Sequence, residues 1–218
     1  MTANKFNAKA IFFDLDGTIV DSRGAYYEAA RTAFQAMGQE APKTKAALEI
    51  PRRLEQKKPI SDLINGDTSR FLDVYFKAYY SVTEVKTRLL PNVSAVLEIL
   101  SAKAKLALIT MRSVPKETII KELTRFGIAK YFTYVVTALD TYKPKPSPEA
   151  LLKCGKALDV QICDCVIVGD SINDVKAGKA AGAKTVAVLS GLFSIEEFVK
   201  ERTDLIIKDV AALLNFVE

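Results

Sequence analysis

From Pro91 onward, short apolar runs of strand character alternate with amphipathic helical stretches, and this pattern limits the fold more tightly than any other feature. The spacing predicts a helix over 93–100 with Pro91 near its start, then a strand over 106–109 that ends at Thr110. A helix over 116–126 closes at Gly127, and a strand follows over 134–137. Ser147 as cap and Pro148 as first residue open a helix over 148–158. A strand over 165–168 ends at Gly169-Asp170, and a helix over 175–181 closes at Gly182. Strands over 185–188 and 205–207 come last, with helices from Ile195 and Val210. Strands alternating with helices demand a parallel sheet covered on both faces.

One strand lies apart. Ala10 to Phe13 is an apolar run bounded by turn residues, which reads as a buried strand. Between it and the regular alternation stand about 65 residues of mostly helical pattern. Tyr26, Ala29, Ala30, Ala33, Phe34 and Met37 recur at helical spacing, as do Phe71, Leu72, Tyr75, Phe76 and Tyr79; Leu48–Leu54 and Leu63-Ile64 continue the pattern. The aromatic stripe reads as this segment's own core. The expected organisation is therefore an α/β, Rossmann-like parallel core of residues 1–21 and 89–218, interrupted over 22–88 by a small helical cap.

Parallel strands place their carboxyl ends on one edge, where ligands bind in open α/β sheets. Polar groups sit where these strands or their loops end: Asp14 with Asp16, Thr110, Lys143 and Asp170. Asp14 and Asp16 are two residues apart, so extended backbone aims both at one face, and Gly17 lets the chain turn at once. Carboxylates from two strands are hard oxygen ligands suited to Mg²⁺. A hydroxyl and an ammonium can hold phosphoryl oxygens, and a carboxylate remains to attack phosphorus. A calcium loop fits poorly, because the position needing glycine is Ile19 and a strand precedes it. Gly178 and Gly182 fail the phosphate-loop pattern and read as packing and helix termination. Ser171 and Asp174 have the spacing of a capping box, so Asp174 supports a helix start on that reading.

Composition narrows the function. The chain of 218 residues contains no histidine, which removes histidine-based triads and metal sites. Its three cysteines are too few and too irregular for a disulfide framework or a zinc site. The net charge of +5 is spread along the chain without a nucleic-acid motif, so no nucleic-acid partner is expected. Arg52-Arg53 with Lys57-Lys58 form the one tight basic cluster, read first as a solvated helix face. No apolar span suits a membrane or a signal peptide, so a soluble cytoplasmic protein is expected.

These segments carry a family resemblance. Asp14-Leu15-Asp16-Gly17-Thr18-Ile19-Val20-Asp21-Ser22 resembles the first motif of the haloacid dehalogenase superfamily in its phosphatase form. Leu108-Ile109-Thr110 resembles the second, Tyr142-Lys143-Pro144-Lys145-Pro146-Ser147-Pro148 the third, and Val168-Gly169-Asp170-Ser171-Ile172-Asn173-Asp174 the fourth. The resemblance covers nearly the whole chain and is closest to the phosphoglycolate phosphatase group. It implies that Asp14 is the nucleophile, forming an aspartyl-phosphate, and that Asp16 is the acid and then the base. It implies phosphoryl contacts from Thr110, from the backbone N–H of Met111 and from Lys143, which family spacing favours over Lys145. It also implies Mg²⁺ held by Asp14, the carbonyl of Asp16, and Asp170, with Asp174 holding a metal-bound water or orienting Lys143.

Arg112 stands near the position where the family often has asparagine, and adds anion-binding capacity. With Arg52 and Arg53 it is a candidate contact for a substrate carboxylate or second phosphate. The expected activity is Mg²⁺-dependent hydrolysis of a small phosphorylated metabolite. A phosphosugar mutase and a non-enzymatic phospho-accepting domain are the alternatives. Asp16 disfavours carbon–halogen cleavage, since the dehalogenase branch lacks that acid. The oligomeric state is open.

Overall fold

The computed structural model describes residues 5–218. They form two compact units, one running up to Ile19 and resuming over Leu89–Glu218, the other Val20–Arg88. The first unit is built on strands β1 (Ala10–Phe13), β4 (Lys105–Ile109), β5 (Tyr134–Val136), β6 (Cys165–Gly169), β7 (Lys184–Val188) and β8 (Leu205–Ile207). They form one parallel sheet in the order β5-β4-β1-β6-β7-β8. Every residue of β1 is fully buried, as expected of a strand flanked on both sides and covered on both faces.

Helices α4 (Val93–Ser101), α5 (Lys116–Arg125), α6 (Glu149–Leu158), α7 (Ile172–Ala181) and α8 (Ile195–Lys200) connect these strands. Period-two alternation divides the strand residues between two cores. Ala10 and Phe12 join Ala107, Ile109 and Ile167 against Ala150, Leu151, Cys154 and Leu158 of α6 and Ala177 of α7. Phe13 points the other way, edge-on to Phe132 at a ring separation of 6.3 Å. Gly178 lets α7 lie close on the sheet, since a Cβ there would sit 2.4 Å from a methyl of Ile167. Packing is thus its role, as the sequence predicts.

The second unit contains α1 (Arg23–Ala36), α2 (Thr44–Glu55) and α3 (Thr68–Lys86). Phe71, Tyr75 and Tyr79 of the aromatic stripe are buried among Ala25, Ala29, Ala33 and Phe34 of α1. Strands β2 (Val20–Asp21) and β3 (Arg88–Leu89) pair where the chain passes into and out of this unit.

Three local expectations need correction. Leu63-Ile64 lies in a turn, because Pro59 and Asn65-Gly66 bracket a stretch too short for a helix. The segment from Val210 is a 3-10 helix (Val210–Asn215) capped by Asp209. Helix α7 starts at Ile172, three residues early, because Ser171 and Asp174 form a complete capping box.

Candidate active site

The sheet register decides what can meet. Phe13 pairs with Leu108 of β4 and Val168 of β6, so the residues after all three strands emerge side by side. The backbone N–H of Asp14 continues the ladder by donating to the Val168 carbonyl at 2.9 Å. Asp14 therefore stands between Thr110, after β4, and Asp170, after β6. Asp14, Asp170 and Asp174 each offer an oxygen within 4.8 Å of the others, and all three residues are buried.

The ammonium of Lys145 lies among them. Its Nζ donates to Asp14 Oδ1 at 2.5 Å, to Asp174 Oδ1 at 2.6 Å and to the Ile109 carbonyl at 3.3 Å. Burial opposes the charge on Lys145, but Asp14 and Asp174 outweigh it and hold the ammonium above its ordinary pKa. Burial pushes the Asp14 carboxyl up to about 7; Lys145 pulls it down, while Asp174 and Asp16 add to the rise. Three buried carboxylates facing one ammonium leave an excess of negative charge, which a divalent cation would neutralise. Hard oxygen donors and the absence of nitrogen or sulfur ligands suit such an ion.

The lysine expected here was Lys143, and the structure corrects that placement. Lys143 is exposed, while Lys145 is 3% exposed. The reason is backbone anchoring: the Glu149 carboxylate accepts the N–H groups of Tyr142 and Lys143, each at 3.0 Å, and holds that part of the loop outside. Two residues on, the side chain at 145 enters the site.

Asp170 sits in a cradle that only glycines leave open. A Cβ on Gly17, at φ +84°, would lie 2.3 Å from Asp170 Oδ2, and one on Gly191 would lie 1.7 Å from the same atom. The Thr18 hydroxyl donates to Asp170 Oδ1 at 3.3 Å, and Ser190 Oγ donates to the Gly17 carbonyl at 2.6 Å. The sequence reading did not single out Ser190 and Gly191, although a small-residue turn directly after β7 falls on the same sheet edge. Gly191→Ala should displace the Asp170 carboxylate and weaken divalent-ion binding by roughly 10–100-fold, the scale of lost metal-site support. Titration with the metal, followed by thermal shift, would measure it; unchanged affinity would remove the cradle role.

Asp174 serves two purposes. Its Oδ1 meets Lys145, while its Oδ2 accepts the Ser171 N–H at 3.2 Å as part of the capping box. Thr110 is buried, and its Oγ1 accepts the Arg112 N–H at 3.2 Å. Met111 follows it with its side chain exposed.

Asp16 and Arg112 meet each other. The Arg112 guanidinium forks onto Asp16, Nε to Oδ2 at 2.8 Å and Nη2 to Oδ1 at 2.6 Å, and its Nη1 donates to Glu122 Oε2 at 2.5 Å. Arg112 is therefore committed to two carboxylates of its own unit. The sequence reading passed over Glu122, although an acid sharing the apolar face of α5 with Ile119 and Leu123 signals a buried partner. Arg52 and Arg53 belong to α2 of the second unit. There Arg53 pairs with Glu49 and Asp62, and Arg52 approaches Glu49 at 3.5 Å.

The carboxyl edge of the parallel sheet thus gathers three acids and a lysine, and comparison with known proteins places the chain in a family. Residues 11–188 match the family model described as haloacid dehalogenase-like hydrolase. The phosphoglycolate phosphatases of Escherichia coli and Shigella boydii are each 32% identical, over 97% of this chain and 93% of theirs. A haloacid dehalogenase-like hydrolase from Streptococcus pneumoniae shares the fold, with a TM-score of 0.78 at 20% identity over 98% of both chains. The chain belongs to the haloacid dehalogenase-like hydrolases, in their phosphoglycolate phosphatase-like branch. Its class is that of the phosphatases. Among the described residues, no helix is long and apolar enough to cross a membrane.

Proposed function

We propose that this phosphatase hydrolyses a small phosphomonoester through an aspartyl-phosphate on Asp14, with Mg²⁺ as its metal. Phosphoglycolate, the substrate named for its relatives, is the first candidate. The observation that carries this reading is the buried Lys145 ammonium bridging Asp14 and Asp174 beside Asp170.

Lys145 occupies Oδ1 of Asp14, which orients Oδ2 to attack phosphorus in line. The bond from phosphorus to the ester oxygen breaks, and Asp16, carrying a proton on an oxygen released from Arg112, gives it to the departing alkoxide. Water then attacks the same phosphorus, Asp16 takes its proton, and the bond to Asp14 breaks to free phosphate. Thr110, accepting from Arg112 through its oxygen, has its hydrogen to donate to a phosphoryl oxygen. Lys145 neutralises another. Asp14, Asp170 and the Asp16 carbonyl would hold Mg²⁺, with Asp174 behind them. The bound ion supplies charge neutralisation for the transferred group.

Phosphate release from a panel of phosphometabolites and one aryl phosphate, with and without Mg²⁺, tests the reading. Chelation should lower turnover at least ~10³-fold, on the several-kcal/mol scale of metal catalysis, and Mg²⁺ should restore it. Isomerised phosphosugar in place of free phosphate, or release indifferent to Mg²⁺, would refute it.

The raised Asp14 pKa gives a second expectation. Its folded value of about 7 lies above the ordinary 3.8, so the metal-free folded state retains a proton that the unfolded chain gives up. That contribution to stability is complete below about pH 4 and is lost as the pH rises through about 7. A cation needs the ionised carboxylates, so Mg²⁺ should raise the melting temperature more at pH 8 than at pH 5. Equal shifts at the two pH values would contradict this.

A further inference from the structure

Arg112 and Glu122, which pair in series with Asp16, take no direct part in the proposed phosphoryl transfer. Arg112 is 4% exposed and Glu122 8%, and removing a guanidinium and a carboxylate from water costs several kcal/mol per ion before their attraction is counted. All three guanidinium nitrogens are used. Two meet both oxygens of Asp16, so the planar fork fixes the orientation of that carboxylate as a single hydrogen bond would not. The third meets Glu122, which anchors the guanidinium from α5, a different element from the loop that carries Asp16 and the loop that carries Arg112. The Asp16 carboxylate is thereby kept out of the triad formed by Asp14, Asp170 and Asp174.

We propose that Arg112, braced by Glu122, is the positioning residue for Asp16. It holds the acid/base in one orientation beside the path of the leaving group. The inference rests on the phosphatase reading, in which Asp16 protonates the departing oxygen. It assigns Arg112 a task different from binding an anionic group of the substrate.

The two tasks differ in what they do to leaving groups. A nitrophenolate departs without a proton, whereas an alkoxide needs one. The formation step, read in kcat/KM, should therefore suffer selectively with alkyl esters when Asp16 is misplaced. The comparison uses glycerol 1-phosphate, an alkyl ester without a second anionic group, and 4-nitrophenyl phosphate. Arg112→Lys keeps the charge and loses the fork; its kcat/KM should fall at least ~10-fold more for the alkyl ester than for the aryl ester. Glu122→Gln, which is isosteric, should shift the ratio in the same direction by less, and it carries the test if Arg112→Lys does not fold. Asp16→Asn should show the same selective loss, and adding Arg112→Lys to it should shift the ratio no further. Equal losses for both esters in the single variants, or an additive loss in the double variant, would overturn the positioning role. An unaltered protein that releases phosphate from neither ester would overturn the phosphatase reading itself, and this inference with it.

Discussion

Asp14→Asn should remove turnover on the order of 10⁴-fold or more for every substrate the enzyme accepts, the scale seen when an essential nucleophile is lost. The amide matches the carboxylate in shape, so the loss cannot be assigned to packing. It keeps an oxygen at Oδ1 to accept from Lys145, but it offers no anionic oxygen to phosphorus. Burial raises the Asp14 pKa to about 7, while the same carboxylate supports the Lys145 charge, so the neutral amide relieves one cost and leaves Lys145 with Asp174 alone. The stabilisation by Mg²⁺ should shrink in the variant, because one of its three carboxylates is gone. Acid-quenched parent enzyme given substrate should carry phosphate on Asp14, seen as a mass increase on the peptide containing residues 10–22; the variant should carry none. Turnover retained by Asp14→Asn within tenfold of the parent would eliminate Asp14 as nucleophile.

The parts of this site that were legible in the sequence are those set by local pattern. An apolar run such as Ala10–Phe13 can be satisfied only between other strands, and its fully buried position follows from that. Because every strand of the sheet is parallel, residues 14, 110 and 170 had to emerge on one edge however far apart they lie in sequence. The capping box at Ser171 and Asp174 was visible too, and it fixes the orientation of Asp174. What was not legible depends on contacts made across the fold. Tyr142 and Lys143 are held outside by a carboxylate on α6, and nothing in the local sequence separates one Lys-Pro step from the next. The commitment of Arg112 to Glu122 likewise depends on which face α5 turns inward. Charge alone marked Arg112 as able to hold an anion. Only the fold identifies the anions as Asp16 and Glu122.

The two lysines give the second large effect, and they give it as a contrast. Lys145→Ala removes the one ammonium between Asp14 and Asp174 and leaves two buried carboxylates facing each other without their counter-charge. Breaking a buried pair from one side costs about 3–5 kcal/mol, so the metal-free variant should lose much of its melting temperature. Divalent metal should recover part of that loss by supplying the missing positive charge. Activity should not recover with it, because in the proposed mechanism Lys145 also orients Asp14 and neutralises a phosphoryl oxygen. A kcat lower by about 10²–10³-fold at saturating Mg²⁺ is the expected size for one lost preorganised donor. Lys143→Ala should change stability by no more than about 0.5 kcal/mol and turnover by no more than about twofold, as for an exposed side chain held only through its backbone. Circular-dichroism melts with chelator and with Mg²⁺, run beside phosphate-release kinetics on both variants, separate the two contributions. The reverse pattern, with Lys143→Ala inactive and Lys145→Ala intact, would mean that the ammonium between Asp14 and Asp174 is not the one that serves the reaction.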